Sequence, residues 1–156
     1  MSLFKKIPKT SMNASSNISN VEIANKVAST ASLFRKYFPD ASVNFSPWEN
    51  PNDNDKLDTI DFAFHFPGWS PLMECRAILL QLRIENDNSK VNKVPKLLGI
   101  IMRGMIIPSE RWRVATIGEW EMTGTHLPEK EQKDNLFLVC KELYKLFSKT
   151  SSSNKN

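Results

Sequence analysis

Four stretches in the middle of the chain alternate between apolar and polar residues. A period of two is that of a β-strand, in which successive side chains point to opposite faces. These stretches predict a sheet with one apolar face, which needs a cover, and an opposite face free to meet solvent or a partner. The predicted apolar face consists of Ile60, Phe62, Phe64, Phe66, Ile78, Leu80, Leu82, Ile84, Leu98, Ile100, Met102, Ile106, Trp112, Val114 and Thr116. The opposite side of the same strands, called the arginine face below, carries Thr59, Asp61, Ala63, His65, Gln81, Arg83, Arg103, Arg111 and Arg113.

Two predicted helices flank this sheet in the sequence. The first begins at Ser19, whose spacing from Glu22 is that of a capping box, and it ends near residue 38 before a proline. The second begins near Pro128, because proline is favoured in a first helical turn. Apolar residues recur at the helical period in both. The two stripes are Ile23, Val27, Ala31, Phe34 and Phe38, and Leu136, Val139, Cys140, Leu143 and Phe147.

The resulting element order predicts an α+β fold with a five-stranded, mainly antiparallel sheet. A short strand is expected at 43–45, and longer strands at about 58–66, 74–85, 97–107 and 111–121. The N- and C-terminal helices most simply pack on the apolar face, because each has one stripe to bury. With 156 residues, we expect a single domain at 19–148, between a disordered leader at 1–18 and a disordered tail at 149–156.

The formal net charge of +4 is concentrated at the ends of the chain. Five of the 21 basic residues are lysines in the leader or the tail. The rest of the chain holds the other 16 basic residues and all 17 acidic residues, so its net charge is close to zero. A nucleic-acid-binding domain usually carries its basic excess on the folded body, so we do not favour a nucleic-acid partner. No apolar run approaches the roughly 18 residues of a membrane span. Cys75 and Cys140 are expected to be buried thiols in a reducing compartment, the cytoplasm.

Catalytic and metal-binding patterns are not evident in the sequence. The two histidines and two cysteines lack the spacing of a metal site. His65 and Cys75 share a predicted face on neighbouring strands, but a packed thiol beside a half-exposed histidine is a simpler interpretation than a nucleophile with its base. No glycine-rich phosphate loop is present. We therefore expect no cofactor and no metal, and an enzyme is the least favoured class.

The arginine face is the best candidate for a functional surface. Guanidinium groups offer a planar fork that suits carboxylates and phosphates. Apolar residues mixed with arginines are more typical of a protein interface than of a small-molecule pocket. The alternative is a solvated face on which the arginine stems cover apolar neighbours. The candidate partner-binding or ligand-binding residues are Arg83, Arg103, Arg111, Arg113, Gln81, His65 and Trp69.

Four tryptophans add large apolar side chains to a small domain. Trp112 and Trp120 are predicted to belong to the core. Trp48 and Trp69 lie in proline-bounded loops, where an indole can either anchor a partner or close the end of the core. We favour the closing role for Trp69 and leave both roles open for Trp48.

The strings FPGWSPLMECRAILLQLRI and RWRVATIGEWE, followed by LVCKELYKLF, resemble a small uncharacterised family from cyanobacteria over about residues 57–148. The resemblance implies a photosynthetic cell as the source. It implies no activity and no catalytic residues.

The sequence thus favours a non-catalytic protein-binding module, an assembly or regulatory factor that presents its arginine face to a protein partner. The alternative is a small protein that holds an anionic metabolite or pigment on that face or beneath the turn that contains Trp69. A deep pocket beside Arg83 and Arg103 would favour the ligand, whereas a flat apolar face would favour the partner. The identity of the partner and the oligomeric state stay open.

Overall fold

The computed structural model describes residues 11–17, 21–48, 59–85 and 96–148. The predicted capping residue Ser19, most of the predicted loops at 47–56 and 86–95, and the predicted tail lie outside these ranges, as do residues 1–10 of the predicted leader. The strands are β1 Ser11–Asn13, β2 Ser42–Asn44, β3 Thr59–Ser70, β4 Cys75–Ile84, β5 Leu97–Ile106, β6 Ser109–Ala115 and β7 Glu121–Gly124. A short 3-10 helix follows β1 at Ala14–Asn17, and the α-helices are α1 Val21–Tyr37 and α2 Lys130–Ser148.

The strands form one open sheet that is antiparallel except at one edge. Six of them are hydrogen-bonded in the order β1-β3-β4-β5-β6-β7, and β2 also pairs with β3. β1 runs parallel to β3, while β2 and all other neighbours are antiparallel. The α+β class and the mainly antiparallel sheet are confirmed.

The predicted count of five strands is wrong for two reasons. Residues 11–13, which were assigned to the disordered leader, form β1 beside the start of β3. The predicted strand at 111–121 is interrupted after Ala115, and the chain returns as β7 alongside β6. The interruption contains Gly118, whose φ of 81° lies in the left-handed region that glycine adopts without a steric penalty.

The apolar face forms the main hydrophobic core together with residues of both helices. On β3, Phe62 and Phe64 are fully buried, and the ring of Phe64 stacks on Phe34 of α1 at 3.8 Å between centroids. On the other side of the core, the Thr116 and Tyr144 hydroxyls are 2.6 Å apart, which links the end of β6 to α2. All predicted members of the helical stripes except Ile23 are buried: Val27, Ala31, Phe34 and Phe38, and Leu136, Val139, Cys140, Leu143 and Phe147. Ile23 is partly buried and packs against the core.

One predicted member of the apolar face is placed outside it. Leu98 is 46% exposed, whereas its neighbour Leu97 is 6% exposed and belongs to the core. The register between β4 and β5 shifts after Arg83, so that Ile84 pairs with Leu97. A bulge of this kind adds one residue to one strand and exchanges the faces of the residues beyond it.

Candidate functional site

The register of the sheet assembles the arginine face as a grid of side chains. Arg103 in the middle of β5 lies between Leu79 of β4 and Arg113 of β6. In the next row, Met105 lies between Ala77 and Glu110. Since side chains on directly opposite residues are close neighbours, the two guanidinium groups stand side by side with apolar residues around them.

Glu110 reaches this face because of a second bulge. Gly104 pairs with Trp112, but Met105 pairs with Glu110, so the intervening residue of β6 has no partner of its own. Without the bulge, Glu110 and Arg113 would point to opposite faces, because they are three positions apart in the sequence. Instead, the Glu110 carboxylate lies 3.5 Å from Arg103 Nε and 3.1 Å from a terminal nitrogen of Arg113. Two guanidinium groups therefore share one carboxylate.

The electrostatics of the arginine pair are those of two partly desolvated like charges. Burial of the guanidinium, followed by the positive charge of Arg113, lowers the pKa of Arg103, while Glu110 and Asp61 act in the opposite direction. Arginine nonetheless remains protonated in proteins. Among the described residues, Glu110 is the one carboxylate within ion-pair distance of both arginines, and the more distant Asp61 adds a weaker attraction to Arg103.

Arg111 does not join this group, contrary to the prediction that it shares the face. The bulge turns its side chain toward the β3–β4 turn, where its guanidinium lies 2.7 Å from the Glu74 carboxylate. The same guanidinium lies over the Trp69 ring, 5.2 Å from its centroid. The sequence had favoured a role for Trp69 in closing the core. Trp69 is instead 41% exposed and covers Arg111.

Part of the arginine face is closed by Trp48, so the expectation of a wholly open face is wrong. Trp48 is buried in a small hydrophobic cluster with Ala63 and Leu79. Its indole nitrogen donates a hydrogen bond of 2.5 Å to the buried Asp61 carboxylate, which also accepts one of 3.2 Å from Gln81. Gln81 is thus a buried structural residue rather than an accessible contact.

The remaining candidates, Arg83 and His65, lie at opposite ends of the grid. Arg83 is exposed on β4 and pairs with Gly99, four residues along the strand from the row of Arg103. His65 lies opposite Ala77 and is half-buried, and burial lowers its pKa. The structure therefore brings Arg103 and Arg113 together, and it separates them from the other predicted residues.

Two clefts lie outside the arginine pair. One has a volume of about 450 Å³ and is lined by His65, the Phe66–Gly68 segment, Arg76 and the end of β5. The other is an open apolar groove of about 500 Å³ between Trp120 and α2. Trp120 was expected in the core, but it is 42% exposed and its ring stacks on Phe137 and Tyr144. Neither cleft is lined by Arg83 or Arg103.

The thiols have the character expected of packed cysteines. Cys75 and Cys140 are buried and free, and burial raises the pKa of each to about 12. Because the thiolate is the nucleophilic form, these thiols are inert at neutral pH. No cluster of three or more His, Cys, Asp or Glu side chains suited to a metal ion occurs within the described ranges. Over the same ranges, neither helix is long and apolar enough to cross a membrane.

Sequence reasoning missed the roles of Glu110 and Trp48. Glu110 falls between the predicted strands at 97–107 and 111–121, and its place on the arginine face depends on a bulge that periodicity does not reveal. One sequence signal was available, since Gly104 on β5 leaves room for a bulky neighbour. A Cβ at Gly104 would lie 2.1 Å from the Trp112 indole, so glycine is required where the two strands pack at the bulge.

The chain belongs to a family described as a domain of unknown function, which is matched over residues 15–149. No curated protein and no solved structure matches the chain.

Proposed function

We propose that this protein is a non-catalytic binding module that docks the Arg103–Arg113 part of its arginine face onto an acidic patch of a partner protein. The observation that carries the proposal is the shared carboxylate: among the described residues, the two neighbouring guanidinium groups have one carboxylate within ion-pair distance, that of Glu110. A carboxylate on a partner would supply the second counter-charge in a bidentate geometry that arginine favours.

The surroundings of the arginine pair support a protein rather than a small molecule as the occupant. Ile101, Met105 and Ile107 are half-buried on or beside the same face. Interfaces combine apolar residues and arginines at their centre, and methionine adapts to irregular partner surfaces. The two clefts described above are not lined by Arg103 or Arg113.

The proposal places the encounter in the cytoplasm of a photosynthetic cell, following the resemblance noted from the sequence. The two free, buried thiols are compatible with a reducing compartment.

Charge reversal at Arg113 tests the interface. Arg113 is more suitable than Arg103, because its side chain is 44% exposed against 30%, and the change is therefore less disruptive to folding. Arg113→Glu opposes a partner's carboxylate with a like charge, and we expect the partner recovered with immobilised wild-type protein from native lysate to be lost. Stability should change by less than about 1 kcal/mol, since exposed ion pairs contribute little.

Lys145→Glu is the matched control, because Lys145 is an exposed cation on α2, outside the arginine face. It makes the same change in net charge and should retain the partner. Circular dichroism confirms folding of both variants. If folded Arg113→Glu captures the same proteins as the wild type, the arginine face is not the interface.

A further inference from the structure

The cleft beside His65 lies where the β3–β4 hairpin meets the end of β5. Its walls come from the Phe66–Gly68 segment of β3, from Arg76 near the start of β4, and from Ile106 and Ile107. Its volume of about 450 Å³ falls within the range of roughly 300–1,000 Å³ that small-molecule sites occupy.

Arg76 gives this cleft a positive charge that no acidic side chain of the described ranges pairs with. Arg103, Arg111 and Arg113 each have a glutamate within ion-pair distance. Arg76 has no ion-pair partner among the residues that the structure describes, and it is exposed at the cleft. An incoming anion would therefore meet this guanidinium without displacing a carboxylate of the described part of the chain.

The rest of the lining is apolar apart from one imidazole. Phe66, Pro67, Ile106 and Ile107 form apolar walls. Because burial lowers the pKa of His65, its ring is neutral at pH 7 and can donate one hydrogen bond and accept another. The cleft thus combines apolar walls, an imidazole that can form hydrogen bonds and one positively charged side chain.

We propose that this cleft binds a small monocarboxylate with an aromatic or aliphatic body. Arg76 would pair with the carboxylate, and the apolar walls would take the body of the ligand. The inference is independent of the protein interface proposed above, since Arg103 and Arg113 do not line the cleft.

Gly68 allows the cleft to be filled without straining the backbone. A Cβ at this position meets no heavy atom within 4 Å, and the φ of Gly68 lies outside the left-handed region. Gly68→Leu should therefore fold normally while it occupies space beside the apolar walls.

Cinnamate and its uncharged analogue cinnamamide form a matched pair of probes, because they differ in charge and share an aromatic body. Binding is followed by amide chemical shifts in heteronuclear NMR spectra of the wild-type protein. We expect cinnamate to shift the Gly68 and Ile107 amides saturably. We expect cinnamamide to bind about fivefold more weakly, the scale set by one exposed ion pair.

Three variants assign the site. Arg76→Gln should reduce cinnamate affinity to that of cinnamamide, and Gly68→Leu should weaken both probes. Arg83→Gln removes another exposed arginine from the same strand, and it should leave both affinities unchanged.

Several results would overturn the proposal. These are no saturable shift at Gly68 and Ile107 up to about 10 mM cinnamate, equal affinities of the two probes for the wild type, or an Arg76→Gln protein that still prefers cinnamate. If Gly68→Leu fails to fold, the Arg76→Gln comparison alone decides.

Discussion

The carboxylate of Asp61 is buried beneath Trp48, and two hydrogen-bond donors make this position possible. Asp61 is fully buried, a position in which an aspartate needs strong hydrogen bonds to offset lost hydration. The Trp48 indole and the Gln81 amide both donate to it. Trp48 therefore has two roles: it covers Ala63 and Leu79, and it donates a hydrogen bond to the Asp61 carboxylate beside them.

This arrangement makes Trp48 and Trp69 energetically different, although the sequence had placed both in loops; Trp69 lies in β3. Trp48→Phe retains an aromatic ring but removes the donor to Asp61, and we expect a loss of about 2 kcal/mol in the free energy of unfolding. Trp69→Phe is the matched control. The Trp69 indole is 41% exposed and contacts Arg111 through its ring face. Trp69→Phe should therefore lower the free energy of unfolding by less than about 1 kcal/mol. Urea denaturation of the two variants measures the difference, and equal losses would contradict the role given to the Trp48–Asp61 bond.

At the scale of elements, periodicity predicted the parts of the fold that local geometry controls. Alternation placed Phe62, Phe64 and Leu80 on the apolar face, and the helical period identified every buried residue of the second stripe. These assignments hold because a regular strand or helix fixes the direction of each side chain.

The errors at this scale come from bulges and from contacts distant in sequence. The bulge beside Gly104 brought Glu110 to the arginine face and removed Arg111 from it. Trp48 reached the arginine face through hydrogen bonds to Asn13 and Asp61, which lie 35 and 13 residues away in sequence. Neither event changes the local pattern of apolar and polar residues. A prediction based on that pattern could therefore find the Arg103–Arg113 pair and its apolar neighbours, but not Glu110 or the position of Trp48.

The bulge at the start of β5 yields a direct test of register. The strict alternation assigns Leu98 to the core, whereas the structure buries Leu97 and leaves Leu98 46% exposed. Leu97→Ala should therefore cost roughly 2–5 kcal/mol, as buried leucines do. Leu98→Ala should change stability by no more than about 0.5 kcal/mol. The same denaturation assay compares them, and the reverse ranking would show that β5 keeps a regular register with β4.

For the molecule as a whole, the arginine face is bounded rather than continuous. The N-terminal segment and the Phe45–Trp48 segment are joined at one edge of the sheet. The Ser15 amide donates to the Phe45 carbonyl at 2.9 Å, and the Asn13 side chain bonds both the amide and the carbonyl of Trp48. The Arg103–Arg113 pair lies toward the other edge, on β5 and β6. One side of the face is therefore structural, and the other carries the proposed interface.

The stability of the whole domain should then depend on residues 11–17, which had been assigned to the leader. Two nested truncations isolate their contribution: one removes residues 1–10, and the other removes residues 1–17. The longer truncation deletes β1 and Asn13, whose side chain makes two hydrogen bonds to Trp48, of 3.0 and 2.8 Å. Each bond contributes about 1 kcal/mol, and its loss also leaves Trp48 less firmly placed over Asp61.

We expect the thermal midpoint of the 1–17 truncation to lie at least about 5 °C below that of the 1–10 truncation, since 1 kcal/mol corresponds to a few degrees in a domain of this size. Asn13→Ala in the full chain provides the control, because it removes the two side-chain bonds and keeps the β1 backbone. Its midpoint should fall between that of the wild type and that of the 1–17 truncation. Identical midpoints for the two truncations, measured by circular dichroism, would mean that the folded domain begins after residue 17. Trp48 would then have to be held over Asp61 by the sheet alone.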